Sequence, residues 1–367
     1  MHLEIPRRLY SLDALRGIAA IAVVFSHWPH FFYNGTERVA VEMPALPLYA
    51  VFASLYHNGW LGVDLFFCLS GFVFYWLYSG PVSSRAISAR DFFVLRFSRL
   101  YPLHLATLLA VALGQALMLR ATGSHFIYGH NDAYHFVLNV LFAPAWGFEE
   151  GYSFNAPVWS VSVEVLLYAA FFALCRLLPV RAAVLVAAAA VGLVLVAPSN
   201  LLIGRGITAF FIGGGTFLVY RRLVAAERVD AVLRWLPWVA AALWLLLPLG
   251  LAWLAAPIQH RYFAALVLFP VTILSLALFE TQGARFVRRL AFLGDISYGS
   301  YLLHFPLQLA ALGLAGALAS GREVFYSPWT LAAFIAVLVA ASFASHRLFE
   351  MPAQRALRKR GLTYAFL

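Results

Sequence analysis

Charge is what this sequence lacks. Asp, Glu, Lys and Arg make up 11% of its 367 residues, against about a quarter in soluble domains. No hydrophilic block is long enough to form a soluble domain. Lysine is almost missing: Lys359 stands alone, and the net charge of +10 is otherwise carried by arginine. There are two cysteines, Cys68 and Cys175, both in apolar stretches, which excludes a disulfide framework. No phosphate-binding loop, nucleophile elbow or dinucleotide fingerprint occurs. His27, His304 and Glu164 lack the local spacing of a zinc site, so no metal is expected. Nothing supports nucleic-acid binding, and there is no fixed-period repeat or low-complexity linker. The first apolar segment has no clean small-residue cleavage site and contains Asp13 and Arg16, so it reads as retained rather than as a signal peptide.

Hydrophobic residues are abundant instead, at 63%. Ten segments are long enough, or nearly so, to cross a bilayer: 11–32, 59–78, 98–119, 155–177, 182–197, 201–220, 236–255, 262–280, 293–316 and 329–347. The fifth is short and ends at Pro198. The stretch 135–146 suits a re-entrant or interfacial piece better than a span. If it does not cross, and the N-terminus is inside, Arg38, Arg120, Arg205, Arg261 and Arg322 lie outside. All the other basic residues, Arg7, Arg285 and the 355–360 tail included, then lie on the cytoplasmic side. A crossing at 135–146 would erase this bias, so the positive-inside rule favours ten spans with both termini cytoplasmic. The expectation is an all-α polytopic membrane protein, one transmembrane domain over 1–367.

Ionisable residues inside apolar segments are expensive and therefore informative. Ser11–His30 contains Asp13, Arg16 and His27. Arg16 and His27 are eleven residues apart, about three turns, so they share a helix face roughly 16 Å apart along the axis. That stripe suits a ligand running up the helix; an Asp13–Arg16 end-of-helix ion pair with an interfacial His27 is the plainer alternative. Asp64 lies just inside the second segment among Gly59, Gly62, Ser70 and Gly71. The small residues suit close helix packing, while the carboxylate calls for a partner, with a basic or polar group of the first helix as candidate. Arg96 and Arg99 share a face at the start of the third segment. With Arg16 at the same end they suit a polyphosphate, since guanidinium makes forked contacts to phosphate; ordinary flanking charge is the alternative. Glu164 lies about two turns into the fourth segment, near Trp159, Ser160 and Ser162. It suits an acid/base, an orienting partner for His27, or a structural pair with an arginine. Tyr298, Tyr301 and His304 recur at a spacing of three and line one stripe of the ninth segment; interfacial anchoring is their bland reading. The basic tail after Glu350 and Pro352 reads most simply as a topology anchor.

Six stretches together resemble the acyltransferase-3 family of integral membrane O-acyltransferases. They are SLDALRGIAAIAVVFSH, GWLGVDLFFCLSGFV, RFSRLYPLH, PVWSVSVEVLLY, LGDISYGSYLLH and FEMP, in family order from end to end. The resemblance implies transfer of an acyl group, usually acetyl, from cytoplasmic acyl-CoA to a hydroxyl of a carbohydrate. It implies that His27 is the essential histidine, that Arg16, Arg96 and Arg99 are essential arginines, and that Glu164 is the acidic residue of the Trp-Ser-x-x-x-Glu motif. Asp13, Asp64, Trp159, Ser160, Tyr298, Tyr301 and His304 are expected to support the site or bind substrate. Some members carry an extracytoplasmic SGNH domain after the last span. The sequence shows none, which leaves room for a separate partner transferase.

The expected mechanism holds the phosphates of acetyl-CoA at the arginines and brings the thioester up towards His27. The imidazole acts as general base on the acceptor, a lipopolysaccharide, exopolysaccharide or lipid-linked glycan. An acyl-His27 intermediate is the runner-up. The alternative from another class is a transporter of a lipid-linked sugar or acyl donor, which would favour inverted repeats and paired broken helices; neither is evident.

Overall fold

In the computed structural model, which describes residues 5–6, 8–38, 41–196, 201–253, 261–283, 287–318 and 321–362, every long apolar run is helical. Arg7, Pro198, Arg285 and the far ends of the fifth and seventh segments lie outside the described residues. The helices are α1 (Tyr10–His27), α2 (Tyr49–Asn58), α3 (Gly62–Ser83), α4 (Ala89–Thr122), α5 (Ala133–Val140), α6 (Trp159–Leu177), α7 (Ala182–Leu195), α8 (Leu201–Ala225), α9 (Val229–Leu233), α10 (Leu236–Trp253), α11 (Phe269–Thr281), α12 (Phe292–Ala317), α13 (Pro328–Ser345) and α14 (Met351–Gly361). A two-residue hairpin, Tyr33–Asn34 against Glu37–Arg38, is the β structure among the described residues.

Seven helical runs among the described residues are long and apolar enough to cross a membrane, from Tyr49–Ser83 to Pro328–Gly361. The three other expected spans, at α1, α7 and α10, are helical too. α5 has eight residues, about 12 Å of helix against a hydrocarbon core of about 30 Å, so as a helix it is too short to span. The chain is an all-α polytopic membrane protein.

Packing divides the chain into two units. The first holds Met1–Ala19, Leu61–Ile87 and Leu166–Asp295. Its centre is the contact of α3 with α8, where backbones meet without side chains between them. A Cβ at Gly71 would fall on the Phe210 carbonyl oxygen, and one at Gly213 on that of Cys68. The packing reading of the small residues is thus realised at Gly71. Gly71→Ala is expected to destabilise the protein by about 1–3 kcal/mol, the usual cost of overpacking, seen as a lower melting temperature in detergent. An unchanged melting temperature would contradict the close approach. Glu280, near the end of α11, caps the start of α1: Tyr10 N and Ser11 N donate to its carboxylate at 2.7 and 2.9 Å, and Ser11 Oγ at 2.6 Å. A carboxylate there satisfies orphan N–H groups and complements the helix dipole.

The second unit holds Ala20–Trp60, Ser88–Val165 and Ile296–Leu367. Its main core gathers Trp28, Phe31, Phe325, Phe334 and Leu338. Phe31 stacks on Phe325 at 3.8 Å between ring centroids, and Trp28 Nε1 donates to the Phe325 carbonyl at 3.0 Å. α14 packs along α4, so the basic tail is a helix docked on the fold and not only a flanking charge.

Candidate functional site

His27 is the last residue of α1. Pro29 has no N–H to continue the helix and restricts the residue before it, so the chain turns into a 3-10 segment, Trp28–Phe32. Trp28 is fully buried and fixes that turn in the aromatic core, so His27 stands on a rigid base.

A short relay of hydrogen bonds then sets its protonation pattern. His304 Nδ1 lies 2.6 Å from the Tyr301 carbonyl oxygen. A carbonyl only accepts, so Nδ1 carries the proton and Nε2 of a neutral His304 holds a lone pair. His27 Nδ1 lies 2.8 Å from that Nε2 and must donate to it. Neutral His27 is left with an unprotonated Nε2, the form a general base needs. The two rings are nearly parallel, 4.9 Å apart, and His30 stacks on His27 at 4.7 Å. Gln308, one turn beyond His304, donates its amide to the His27 carbonyl at 2.8 Å. His30 and Gln308 escape a reading of spacing alone, though Gln308 continues the Tyr301–His304 stripe and His30 follows His27 by one turn.

The same stripe of α12 positions the two tyrosines. Tyr301 shares a hydrogen bond with Ser160 Oγ at 2.8 Å and donates to the Pro157 carbonyl at 2.8 Å. Tyr298 donates to the Leu100 carbonyl on α4 at 2.6 Å. Glu164, Glu350 and Arg99 all act electrostatically on Tyr298. The hydrogen bond that orients His27 Nδ1 therefore comes from His304, whereas the influence of Glu164 is felt at Tyr298. Trp159 opens α6 one residue before Ser160. Tyr298 lies six residues, about 9 Å of helix, from His304.

Arg96 and Arg99 lie one turn apart in the early part of α4, and a third cation touches the same stretch of helix. Arg358 of α14 reaches the same turn, donating to Ser98 Oγ at 3.3 Å and to the Leu95 carbonyl at 3.4 Å. Its signal in the sequence was the basic tail, but tail charges cannot be assigned to a site until the tail docks. Within the second unit, His27 bonds His304, Ser160 bonds Tyr301, and Tyr298 bonds α4 at Leu100 under the influence of Glu164 and Arg99, with Arg96 one turn before Arg99 on α4.

In the first unit, Arg16 donates to the Gly294 carbonyl at 2.7 Å and to Asp13 at 3.3 Å. Asp13 also receives Arg8 at 2.7 Å, so the end-of-helix ion pair exists and is shared by two arginines. Asp64 is fully buried and paired in forked fashion with Arg205, both bonds 2.7 Å long. Its partner comes from α8, 141 residues away in sequence, and not from the first helix.

His130, Asp132 and His135 bring possible ligand atoms within 4.8 Å of one another. Both ring nitrogens of His135 are already engaged: Nδ1 with Asp132 at 2.9 Å, and Nε2 as acceptor from Glu150 N at 3.2 Å. Asp132 also caps α5, accepting from His135 N at 2.9 Å; these bonds lower its pKa. The cluster is a hydrogen-bonded clamp at the start of α5.

Comparison with known proteins points one way. The family described as "Acyltransferase domain" matches residues 9–346. Acyltransferase MdmB of Streptomyces mycarofaciens is 27% identical over 96% of this chain and 93% of its own length. Protein 2 in the picA locus of Rhizobium radiobacter is 36% identical over 29% of this chain and 46% of its own. A protein of Acidianus two-tailed virus, ORF330, named provisionally as an acetyltransferase, is 25% identical over 86% of this chain and 88% of its own. No solved structure matches the chain.

Proposed function

Because the chain belongs to the acyltransferase family that spans residues 9–346, we propose that it transfers an acyl group, acetyl first, from acyl-CoA to a hydroxyl of a carbohydrate acceptor, with His27 as general base. The observation that carries this reading is the His27–His304 hydrogen bond of 2.8 Å, which leaves Nε2 of His27 as the basic nitrogen. His27 Nε2 takes the proton of the acceptor hydroxyl as its oxygen attacks the thioester carbonyl. The C–S bond breaks, and the departing thiolate receives that proton, giving the ester and free CoA. Arg96, Arg99 and Arg358 are the residues assigned to the donor phosphates, since three guanidinium groups complement a polyphosphate. Glu164 and Tyr298 are assigned to the ground between phosphates and thioester. The enzyme is read as a multi-pass protein of the bacterial cytoplasmic membrane, its acceptor a lipopolysaccharide, exopolysaccharide or lipid-linked glycan.

The test is acyl transfer by purified protein in detergent, with radiolabelled acetyl-CoA and membrane glycan fractions, reading labelled glycan and free CoA. Flux of donor or glycan in proteoliposomes without ester formation would overturn the reading in favour of transport. His304 is a positioning residue in this scheme. His304→Ala is expected to lower kcat by about 10–100-fold by releasing the His27 tautomer, with little change in KM and an altered pH profile. His304→Gln, which keeps an acceptor opposite His27 Nδ1, should recover part of the rate. Equal losses in both variants with an unchanged pH profile would remove His304 from the relay.

A further inference from the structure

The first unit holds a second concentration of charge that acyl transfer does not use. Three helical runs begin with a charged residue near their N-terminal ends: α3 with Asp64, α8 with Arg205, and Arg261–Thr281 with Arg261. The last run starts into a π-helical turn, Ala264–Leu268, that packs against both α3 and α8. Asp64 and Arg205 neutralise one another through their forked pair. Arg261 has no such counter-ion among the described residues. The residue is 7% exposed, and Nη2 is buried with no hydrogen-bond partner. The rest of the guanidinium leans on Tyr262, 5.6 Å above the ring. Both Arg205 and Asp64 act electrostatically on Arg261, so the three form one group with an excess of one positive charge.

An unpaired charge in a membrane protein's interior is strongly penalised unless something neutralises it. The partial positive charge at each helix N-terminus adds to the excess. One more negative charge balances the group. We propose that Arg261, with the Asp64–Arg205 pair behind it, binds a singly charged phosphate group. A phosphodiester suits the place better than a carboxylate. It stays ionised when desolvated, and its oxygens match the guanidinium fork. The source is a lipid-borne phosphate or phosphate free in solution.

Native mass spectrometry of the full chain released from detergent separates these sources. The protein is titrated with phosphatidylglycerol, with phosphatidylcholine and with inorganic phosphate. Wild type is expected to retain one phosphatidylglycerol per chain in preference to phosphatidylcholine. Arg261→Gln should weaken that retention by about tenfold or more, and Arg261→Lys, which keeps the charge without the fork, by less. Saturable retention of inorganic phosphate, lost in Arg261→Gln, would support the site with a soluble ligand. Equal phosphatidylglycerol retention by wild type and Arg261→Gln overturns the proposal, as does the absence of saturable phosphate binding of either kind. The melting temperatures of both variants show whether the fold survives, and Arg261→Lys carries the comparison if Arg261→Gln does not fold. The readout is binding, so the outcome is independent of whether the protein transfers an acyl group.

Discussion

Replacing His27 with alanine is expected to slow acyl transfer by about 10²–10⁴-fold, the usual contribution of a general base, while leaving the fold intact. The imidazole is only partly buried, whereas the residues that hold its backbone, Trp28 and Phe31, are fully buried. Truncation therefore removes the basic nitrogen and the hydrogen bond to His304 without opening the aromatic core. The measurement is CoA release and labelled glycan under saturating acetyl-CoA, beside the melting temperature. The loss should fall on kcat, because the interaction removed is one made as the hydroxyl proton leaves. His27→Gln should be as slow as His27→Ala, since an amide cannot take up the proton. A folded His27→Ala protein with full activity would end the general-base assignment. A covalent acyl-His27 route would show instead as a labelled enzyme trapped when acceptor is withheld.

The second large effect concerns stability. Asp64→Ala is expected to destabilise the protein by about 3–5 kcal/mol, as when one member of a buried ion pair is removed. Asp64 is fully exposed to the charge of Arg205 at 2.7 Å and shielded from solvent. Without it, Arg205 and Arg261, which act on one another electrostatically, lose the carboxylate that acts on both in a region of low dielectric. Thermal unfolding in detergent measures the loss, and the double variant Asp64→Leu/Arg205→Met should recover most of it, because an apolar pair replaces the ion pair and leaves the net charge of the group with Arg261 unchanged. Losses that simply add in the double variant would show that the two side chains act independently.

Individual residues show how far the sequence reached. Helix positions, the short piece at 135–146 and the packing role of Gly71 follow from hydrophobic run length and side-chain size, both local properties. His27, Glu164, Arg96, Arg99 and the Tyr298–Tyr301–His304 stripe were legible because charged and polar groups inside apolar segments are rare enough to stand out, and because helical spacing assigns them to faces. The pairings were not legible. Asp64 meets Arg205 across 141 positions, and His27 meets His304 across 277. Arg358 reaches Ser98 and Leu95, in the stretch of α4 that carries Arg96 and Arg99, only because the tail helix docks on α4.

The sequence by itself determined an all-α membrane protein, its acyltransferase family and the residues worth testing, since composition, run length and motif order are written along the chain. Only the tertiary structure decided which imidazole orients His27, which arginine answers Asp64 and which cation, Arg261, is left with charge in excess. Spacing along one helix fixes a face, but a hydrogen bond or an ion pair between helices depends on how those helices pack, and that register is not encoded in either helix alone.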